Sequence, residues 1–424
     1  MREVISERIA RARRRRHSRR ARRRIKGSEA LNTLLRLTLG PWLVSRYRVT
    51  AQNAGMLRKL RPPYLVLPNH CSVWDPFFVN NYVPGVIHYV VSDANFRSKV
   101  VEFGLGLVGS IPKTKVMSDL DTVKNIMKVK EAGGIIGIFP EGQNTWDGHT
   151  LPIYFSTAKL AKLLKIPVVT ARISGAYLSK PRWSKVRRRG KISIRYDLAF
   201  TPEQLRQASL QEIDARVLEL LDHDDYQFNR ANRHRYVGPD RAEYAEIALF
   251  TCPQCRAFDT LRSSGNRLGC RECGYTVRLD LYGFFRPVRG TLRFDTVREW
   301  NLWQIEELRR RIDAFVVSGS DTPLFTENRV KVEIGYKSMP LEAYRVGRLE
   351  LYPGRIELTG SDGTRDAFRV ERIVGMNVQN NEYLEFYHDD HLFKVTILDP
   401  RGCTYKWDLA TRFIQERAAS SIVV

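Results

Sequence analysis

Asn69-His70-Cys71-Ser72-Val73-Trp74-Asp75-Pro76, preceded by the apolar run Tyr64-Leu65-Val66-Leu67, is the stretch whose reading decides the fold. The run has the length of a buried strand and is too short for an ordinary helix. Asn69-His70 therefore sits where a strand gives way to a loop. Asp75-Pro76 reads as a helix start, with Asp as the cap and Pro at the first helical position, where no N–H is needed. Residues five apart on a continuous helix point about 140° away from one another. His70 and Asp75 can meet only across a turn, and a strand-end His with a cap-position Asp provides one. The pair suits general-base catalysis, in which a neutral imidazole takes a hydroxyl proton and a carboxylate on its other nitrogen fixes the tautomer. No Ser or Cys nucleophile is required if the hydroxyl belongs to the substrate. The same residues also fit a plain loop His beside a helix-capping Asp.

Three further stretches follow. Gly133-Gly134-Ile135-Ile136-Gly137-Ile138-Phe139-Pro140-Glu141-Gly142 is a second buried strand running into a loop. Pro140 ends its ladder, Gly142 allows a close backbone turn, and Glu141 stands at the strand's carboxyl end, where open α/β sheets place their sites. Gly109-Ser110-Ile111-Pro112-Lys113-Thr114-Lys115 puts two cations beside a loop glycine, and Ile166-Pro167-Val168-Val169-Thr170 begins another strand.

Together and in this order the four stretches resemble the sequence blocks of the glycerolipid (1-acylglycerol-3-phosphate, or lysophospholipid) acyltransferase family, over about residues 30–225. The resemblance implies transfer of a fatty acyl group from acyl-CoA or acyl-carrier protein to the free hydroxyl of a lysophospholipid. The default acceptor is 1-acylglycerol-3-phosphate and the product phosphatidic acid. It also implies roles: His70 as base, Asp75 as its orienting carboxylate, Lys113 and Lys115 holding the acceptor's phosphate, and Glu141 and Gly142 shaping the acceptor site. Two departures stand out. Lys115 occupies a place the family usually gives to Arg, which keeps the charge and loses the bidentate fork. Gln143-Asn144-Thr145 replaces the common Thr-Arg-Ser, so one expected cation is missing.

The formal charge of +24 over 424 residues calls for an anionic partner, a membrane surface or nucleic acid. Residues 1–26 alone hold twelve Arg and one Lys against Glu3 and Glu7. This arm, taken as residues 1–30, contains no aromatic side chain for base stacking, which favours a membrane, although a solvated tail has the same composition. Leu31, Leu34, Leu35, Leu39, Trp42 and Leu43 then form an apolar surface broken by Arg36 and Gly40-Pro41. It is too short to span a bilayer and suits an interfacial helix or a core helix of the enzyme domain. The expected location is intracellular, peripheral on the cytoplasmic face of a membrane. Cysteine usage agrees, since the six cysteines are too few for a secreted disulfide scaffold in a chain of this length.

Short apolar runs alternating with helical stretches through residue 200 predict an α/β domain over 31–225 with a mostly parallel sheet. Arg182, Lys185, Arg187, Arg188, Arg189 and Lys191 around Trp183 read as a solvated hairpin or as a phosphate contact to a membrane or acyl donor. Residues 201–245 read as helical, with 226–245 as a linker. Cys252, Cys255, Cys270 and Cys273 form two CxxC knuckles separated by fourteen residues. That spacing suits one structural zinc ion in a zinc-ribbon-like module at 246–290, with no open position for catalysis. An amphipathic helix is expected at 291–322. Period-two patterning with turn signals, then a last helix from 408, resembles a pleckstrin-homology or GRAM-like barrel over 323–424. Residues 403–407 read as its last strand. A rival reading joins the Arg arm, ribbon and barrel into a non-catalytic adaptor for membrane or nucleic acid. Intact His70, Asp75 and Glu141 speak against it.

Overall fold

The computed structural model describes residues 27–113, 120–379 and 381–420. The Arg-rich segment 1–26 and Lys115 lie outside the described residues. The expected apolar surface after the arm is two short helices, α1 (Glu29–Leu37) and α2 (Leu39–Tyr47). Ser28 caps α1 by accepting the Leu31 N–H at 3.2 Å. Gly40 lets α2 press onto its neighbour, since a Cβ there would lie 2.1 Å from Asn81 Oδ1.

The first sheet has seven strands. They are β1 (Val49–Gln52), β2 (Leu65–Pro68), β3 (Ile87–Ser92), β4 (Ile111–Lys113), β5 (Ile135–Gly137), β6 (Val168–Ser174) and β7 (Ile192–Phe200). Their order is β1-β7-β6-β2-β5-β3-β4. The β6–β7 pair is antiparallel and the other pairs are parallel, so the sheet is mixed, with β1 and β7 reversed against the rest. Helices α3 (Asp75–Asn80), α4 (Lys99–Leu107), α5 (Leu120–Glu131), α6 (Ser156–Leu164) and α7 (Ala176–Ser179) connect the strands. Alternation along β2 divides the interior. Leu65 and Leu67 enter one core with Leu164 of α6, and Val66 enters another with Phe78 of α3.

After β7 come α8 (Pro202–Gln207), α9 (Leu210–Leu221) and α10 (Asp225–Asn232). Thr201 and Ser209 each close a capping box, so Thr201-Pro202 starts its helix as its sequence suggests. Helical structure ends sooner than expected, at Asn232. The segment expected as a linker is packed rather than free: Tyr226, Tyr236 and Ala242 are buried, and the Tyr236 hydroxyl donates to Lys191 O at 3.0 Å.

Strands β8 (Leu261–Ser264), β9 (Arg267–Cys270), β10 (Thr276–Leu279) and β11 (Phe285–Arg289) form a small antiparallel sheet carrying the cysteines. Helix α11 (Val297–Ser318) follows. The last sheet runs through β12 (Phe325–Gly335), β13 (Glu342–Tyr352), β14 (Arg355–Gly360), β15 (Arg365–Arg369), β16 (Val374–Gln379), β17 (Tyr383–His388) and β18 (His391–Ile397). Their order is β15-β14-β13-β12-β18-β17-β16, antiparallel throughout, with β12 pairing both halves. The last helix, α12 (Thr404–Ser420), packs against β16 and α11. It absorbs residues 404–407 of the expected strand 403–407: Tyr405, Trp407 and Leu409 are all buried, because a helix enclosed by both a sheet and a second helix is apolar on more than one face.

The modules share one interior. A continuous core runs from Val66 through Trp146 and Leu249 to Trp300 and Trp407. Polar residues of α11 stitch it together. Asn301 Nδ2 donates to Asp147 Oδ2 at 2.8 Å, and Gln304 donates to Ala248 O at 2.7 Å while accepting the Phe250 N–H at 3.0 Å. Between β3 and α4, Arg97 forms a two-pronged pair with Glu385 on β17, its Nη2 lying 3.2 Å from Oε2. Removing one member of such a buried pair strands the other charge. Arg97→Ala should therefore destabilise the protein by about 3–5 kcal/mol, while replacing both residues by Leu and Met recovers most of the loss. Urea unfolding of the three proteins checks this, and an unchanged midpoint for Arg97→Ala would show that the pair carries no stability.

Candidate active site

β2 ends at Pro68, which has no N–H to extend the ladder. Asn69 replaces the missing pairing with its side chain, donating to Ile173 O at 3.0 Å and accepting the Ile173 N–H at 2.7 Å. This double bond to β6 fixes where the chain leaves the sheet. The next residue, His70, is held by its backbone. Its N–H donates to Glu141 Oε1 at 2.6 Å and its carbonyl accepts from Thr145 N at 3.0 Å. Glu141 Oε2 accepts the Leu151 N–H at 2.7 Å. Glu141 is buried, which pushes its carboxyl up to about 8, against the pull of the two N–H donors toward the charged form.

The expected turn between His70 and Asp75 is present. His70 Nδ1 lies 3.0 Å from Asp75 Oδ2, and the same oxygen accepts the N–H groups of Cys71 and Ser72, each at 2.7 Å. Asp75 is not the cap of its helix. That place falls to Trp74, and the carboxylate turns back to close the preceding loop instead. Desolvation raises the Asp75 pKa, while the bonds from His70, Ser72 and Cys71 lower it. The His70 ring stacks on Phe139, with centroids 4.1 Å apart, and its Nε2 makes no hydrogen bond among the described residues. The arrangement therefore presents one anchored imidazole nitrogen and one available nitrogen. Neighbouring Cys71 is buried with its thiol pKa pushed well up by desolvation, so it stays protonated and unreactive.

A cavity of about 1070 Å³ is lined by His70, Ser72, Phe77, Gly142 and Asn144. Gly142 has φ +70°, and a Cβ there would meet Tyr154 at 2.6 Å. Glu141 is not on the cavity wall. Lys113 is exposed at the end of β4 and also does not reach it. The basic cluster around Trp183 differs from a solvated hairpin. Trp183 and Arg188 are buried, and Arg182 and Lys180 line the cavity. The last sheet also lines it, through Val378, Gln379, Asn381 and Glu382. Sequence patterning gave no signal for that contribution. Asn69 belongs to a stretch singled out for its neighbours, and Arg182 to the basic cluster read as a solvated hairpin or a phosphate contact.

The four cysteines of the CxxC knuckles form a separate cluster, their sulfurs all within 4.8 Å of one another. The Cys252–Cys273 and Cys255–Cys270 separations are both 3.7 Å, close to the ~3.8 Å edge of a tetrahedron with 2.3 Å metal–sulfur bonds. The donor set could hold a metal ion, away from His70.

Residues 48–174 match the Acyltransferase family model. The 1-acyl-sn-glycerol-3-phosphate acyltransferase of Bacillus subtilis (strain 168) is 26% identical over 142 residues, covering 32% of this chain and 70% of that protein. The crystal structure of the 1-acyl-sn-glycerophosphate acyltransferase of Thermotoga maritima aligns over 45% of this chain and 74% of that one, with 17% identity and a TM-score of 0.38. The chain thus contains an acyltransferase domain of this family, and the protein is an acyltransferase. The His70 and Asp75 stretch and the Glu141 stretch both fall inside the matched residues.

Asn69→Ala would orphan the buried N–H and C=O of Ile173 at the end of β6. Each unsatisfied group costs about 1–3 kcal/mol. The expected outcome is a lowered urea midpoint together with lost activity, because the exit of His70 from the sheet is no longer fixed. Unchanged stability would mean that water replaces the side chain.

Proposed function

We propose that the protein transfers a fatty acyl group from the thioester of acyl-CoA or acyl-carrier protein to the free hydroxyl of a lysophospholipid, with 1-acylglycerol-3-phosphate as the reference acceptor. The observation that carries this reading is the 3.0 Å contact between His70 Nδ1 and Asp75 Oδ2 at the wall of the cavity. His70 Nε2 takes the acceptor hydroxyl's proton as the oxygen attacks the thioester carbonyl. The C–O bond forms, the C–S bond breaks, and the proton passes to the departing thiolate. Asp75 holds the tautomer and offsets the imidazolium charge. Glu141 acts from behind by fixing the His70 backbone. Gly142 opens the wall where the acceptor lies. Lys113 and Lys115 remain the proposed phosphate holders, the second lying outside the described residues.

Substrates of this class reside in bilayers. Among the described residues no helix is long and apolar enough to cross a membrane. Helices α1, α2 and α4 contribute Leu35, Leu39 and Val101 to the cavity and expose Leu37, Trp42 and Phe103 beside it. The reading that fits is a peripheral enzyme whose apolar helices sit in the interface at the cavity, with the Arg-rich arm drawn to anionic headgroups. A structural zinc ion on the four cysteines stiffens the small sheet and takes no part in the transfer.

His70→Ala should lower turnover by at least about 10²–10⁴-fold, the range supplied by general-base catalysis, at unchanged melting temperature. Asp75→Asn keeps an oxygen for the Cys71 and Ser72 N–H groups, so the loop persists. It should lower turnover while acceptor binding survives. Wild-type rates in contamination-free His70→Ala protein would sink the assignment. For the metal, elemental analysis should find about one zinc per chain, and Cys252→Ser should lower both zinc content and melting temperature. Zinc-free protein with the same melting temperature would remove the ribbon reading.

A further inference from the structure

The family resemblance implies a cation after Glu141-Gly142, where this chain has Asn144. The Asn144 carbonyl is instead bonded to a cation from elsewhere: Arg182 Nη1 donates to Asn144 O at 2.7 Å. Arg182 is fixed on its other sides too. Its Nη2 donates to Val378 O at 2.8 Å, near the end of β16, and its Nε to Asn381 Oδ1 at 2.8 Å, on the turn that leads to β17. The Asn381 side-chain amide returns a bond to Arg182 O. The guanidinium lies over the Trp146 ring, 4.0 Å from its centroid, and Trp146 stacks on Tyr405 of α12.

These contacts order the group without neutralising it. All three hydrogen-bond acceptors are uncharged. No carboxylate of a described residue forms an ion pair with Arg182, and Asp408, which acts on it through space, is bonded to Arg412 at 2.9 Å. A guanidinium has five N–H donors, and three are used. Burial lowers its pKa to about 10, which still leaves it charged at neutral pH. A rigid, partly buried cation with spare donors and no directly bonded carboxylate among the described residues, on the wall of a cavity, is a site for an anion. Its place is close to the chemistry as well, since Thr145, next to Asn144, donates its N–H to the carbonyl of His70 at 3.0 Å. Lys180 lines the same cavity.

We propose that Arg182, held against Asn144 by the β16–β17 turn of the C-terminal sheet, binds a phosphate of the substrate and takes over the charge that Asn144 lacks. The C-terminal sheet thereby completes the substrate site, and the inference rests on the reading of the cavity as an acyltransferase site. The phosphate belongs either to the acceptor or to the nucleotide part of the acyl donor.

The test uses full-length protein and detergent-dispersed substrates. 1-Acylglycerol-3-phosphate is compared with monoacylglycerol, and acyl-CoA with acyl-pantetheine, for wild type, Arg182→Gln, Arg182→Lys and Asn381→Ala. Arg182→Gln should lower the preference for the phosphate-bearing partner in one pair by about 10–100-fold, through KM rather than kcat. Lys should restore part of it, and Asn381→Ala, which removes the Nε anchor and the returned bond to Arg182 O but leaves the guanidinium itself, should shift it in the same direction. The pair that responds identifies the phosphate as the acceptor's or the donor's. Equal losses on phosphate-bearing and phosphate-free partners, or no change in preference, would overturn the proposal and leave Arg182 as a strut. If Arg182→Gln does not fold, the Asn381→Ala result decides by the same criterion. Equilibrium binding of the same compounds gives this readout without turnover. A protein that binds with Arg182-dependent phosphate preference but transfers nothing would therefore overturn the proposed function and not this inference.

Discussion

One carboxylate oxygen organises the centre of this protein. Asp75 Oδ2 accepts hydrogen bonds from two backbone N–H groups and meets the ring of His70. Each of the three would be costly to bury alone. Together they close the loop that leaves β2, set the start of α3 and aim the imidazole. The carboxylate is fully buried, and its second oxygen, Oδ1, has no hydrogen-bond partner among the described residues. Such a group is maintained against its own desolvation only by what converges on it. Asn69 and Glu141 repeat the device on either side, each using a side chain to satisfy backbone groups that the ending strands leave open. The candidate site is thus the place where two strands run out of ladder partners, and its polar residues answer that shortage before they do any chemistry.

The rest of the chain is built onto this centre. Asn301 and Gln304, both buried, lie three residues apart on α11 and therefore on one face. That face reaches Asp147 of the acyltransferase domain, Ala248 and Phe250 ahead of the cysteine module, and the Tyr405 hydroxyl of α12 at 3.3 Å. Buried amides of this kind specify register, because any slip leaves them unpaired. The stretch expected to link separate modules is for this reason part of a common interior, and the C-terminal sheet reaches the cavity wall as a fixed surface.

How much of this the sequence disclosed follows from the range of each interaction. The strands β2, β5 and β6 and the alternation of the C-terminal strands are legible because their signal is local: short apolar runs, alternation and turn residues. The meeting of His70 and Asp75 was legible for the same reason, being five residues apart. The cysteine cluster was legible from spacing alone. Reversal of β1 and β7 was not, since strand direction depends on connections rather than on composition. Residues 403–407 alternate like a strand, yet 404–407 are helical because α12 is enclosed on two sides. The Arg-rich hairpin left two readings open, a solvated face or a phosphate contact. A run of cations ordinarily faces water, and nothing within the run shows that Trp146, Asn144 and Asn381 will enclose Arg182. Those partners are separated from it by 36, 38 and 199 residues.

The displaced charge also changes what kind of cation the site has. An Arg on the loop after Glu141 would move with that loop and be set by it alone. Arg182 is set by that loop and by the β16–β17 turn at once, so its position depends on how the C-terminal sheet sits on the acyltransferase domain. The pair between Arg97 and Glu385 fixes the same relation from another edge, with Glu385 on β17, beside the turn that holds Arg182. Tension or loosening between the two modules would be felt at a charged group on the cavity wall, close to the His70 loop. A guanidinium pinned by neutral acceptors keeps more of its charge than one bonded directly to a carboxylate. On the proposed reading, the C-terminal sheet holds such a cation in place without bonding a carboxylate to it.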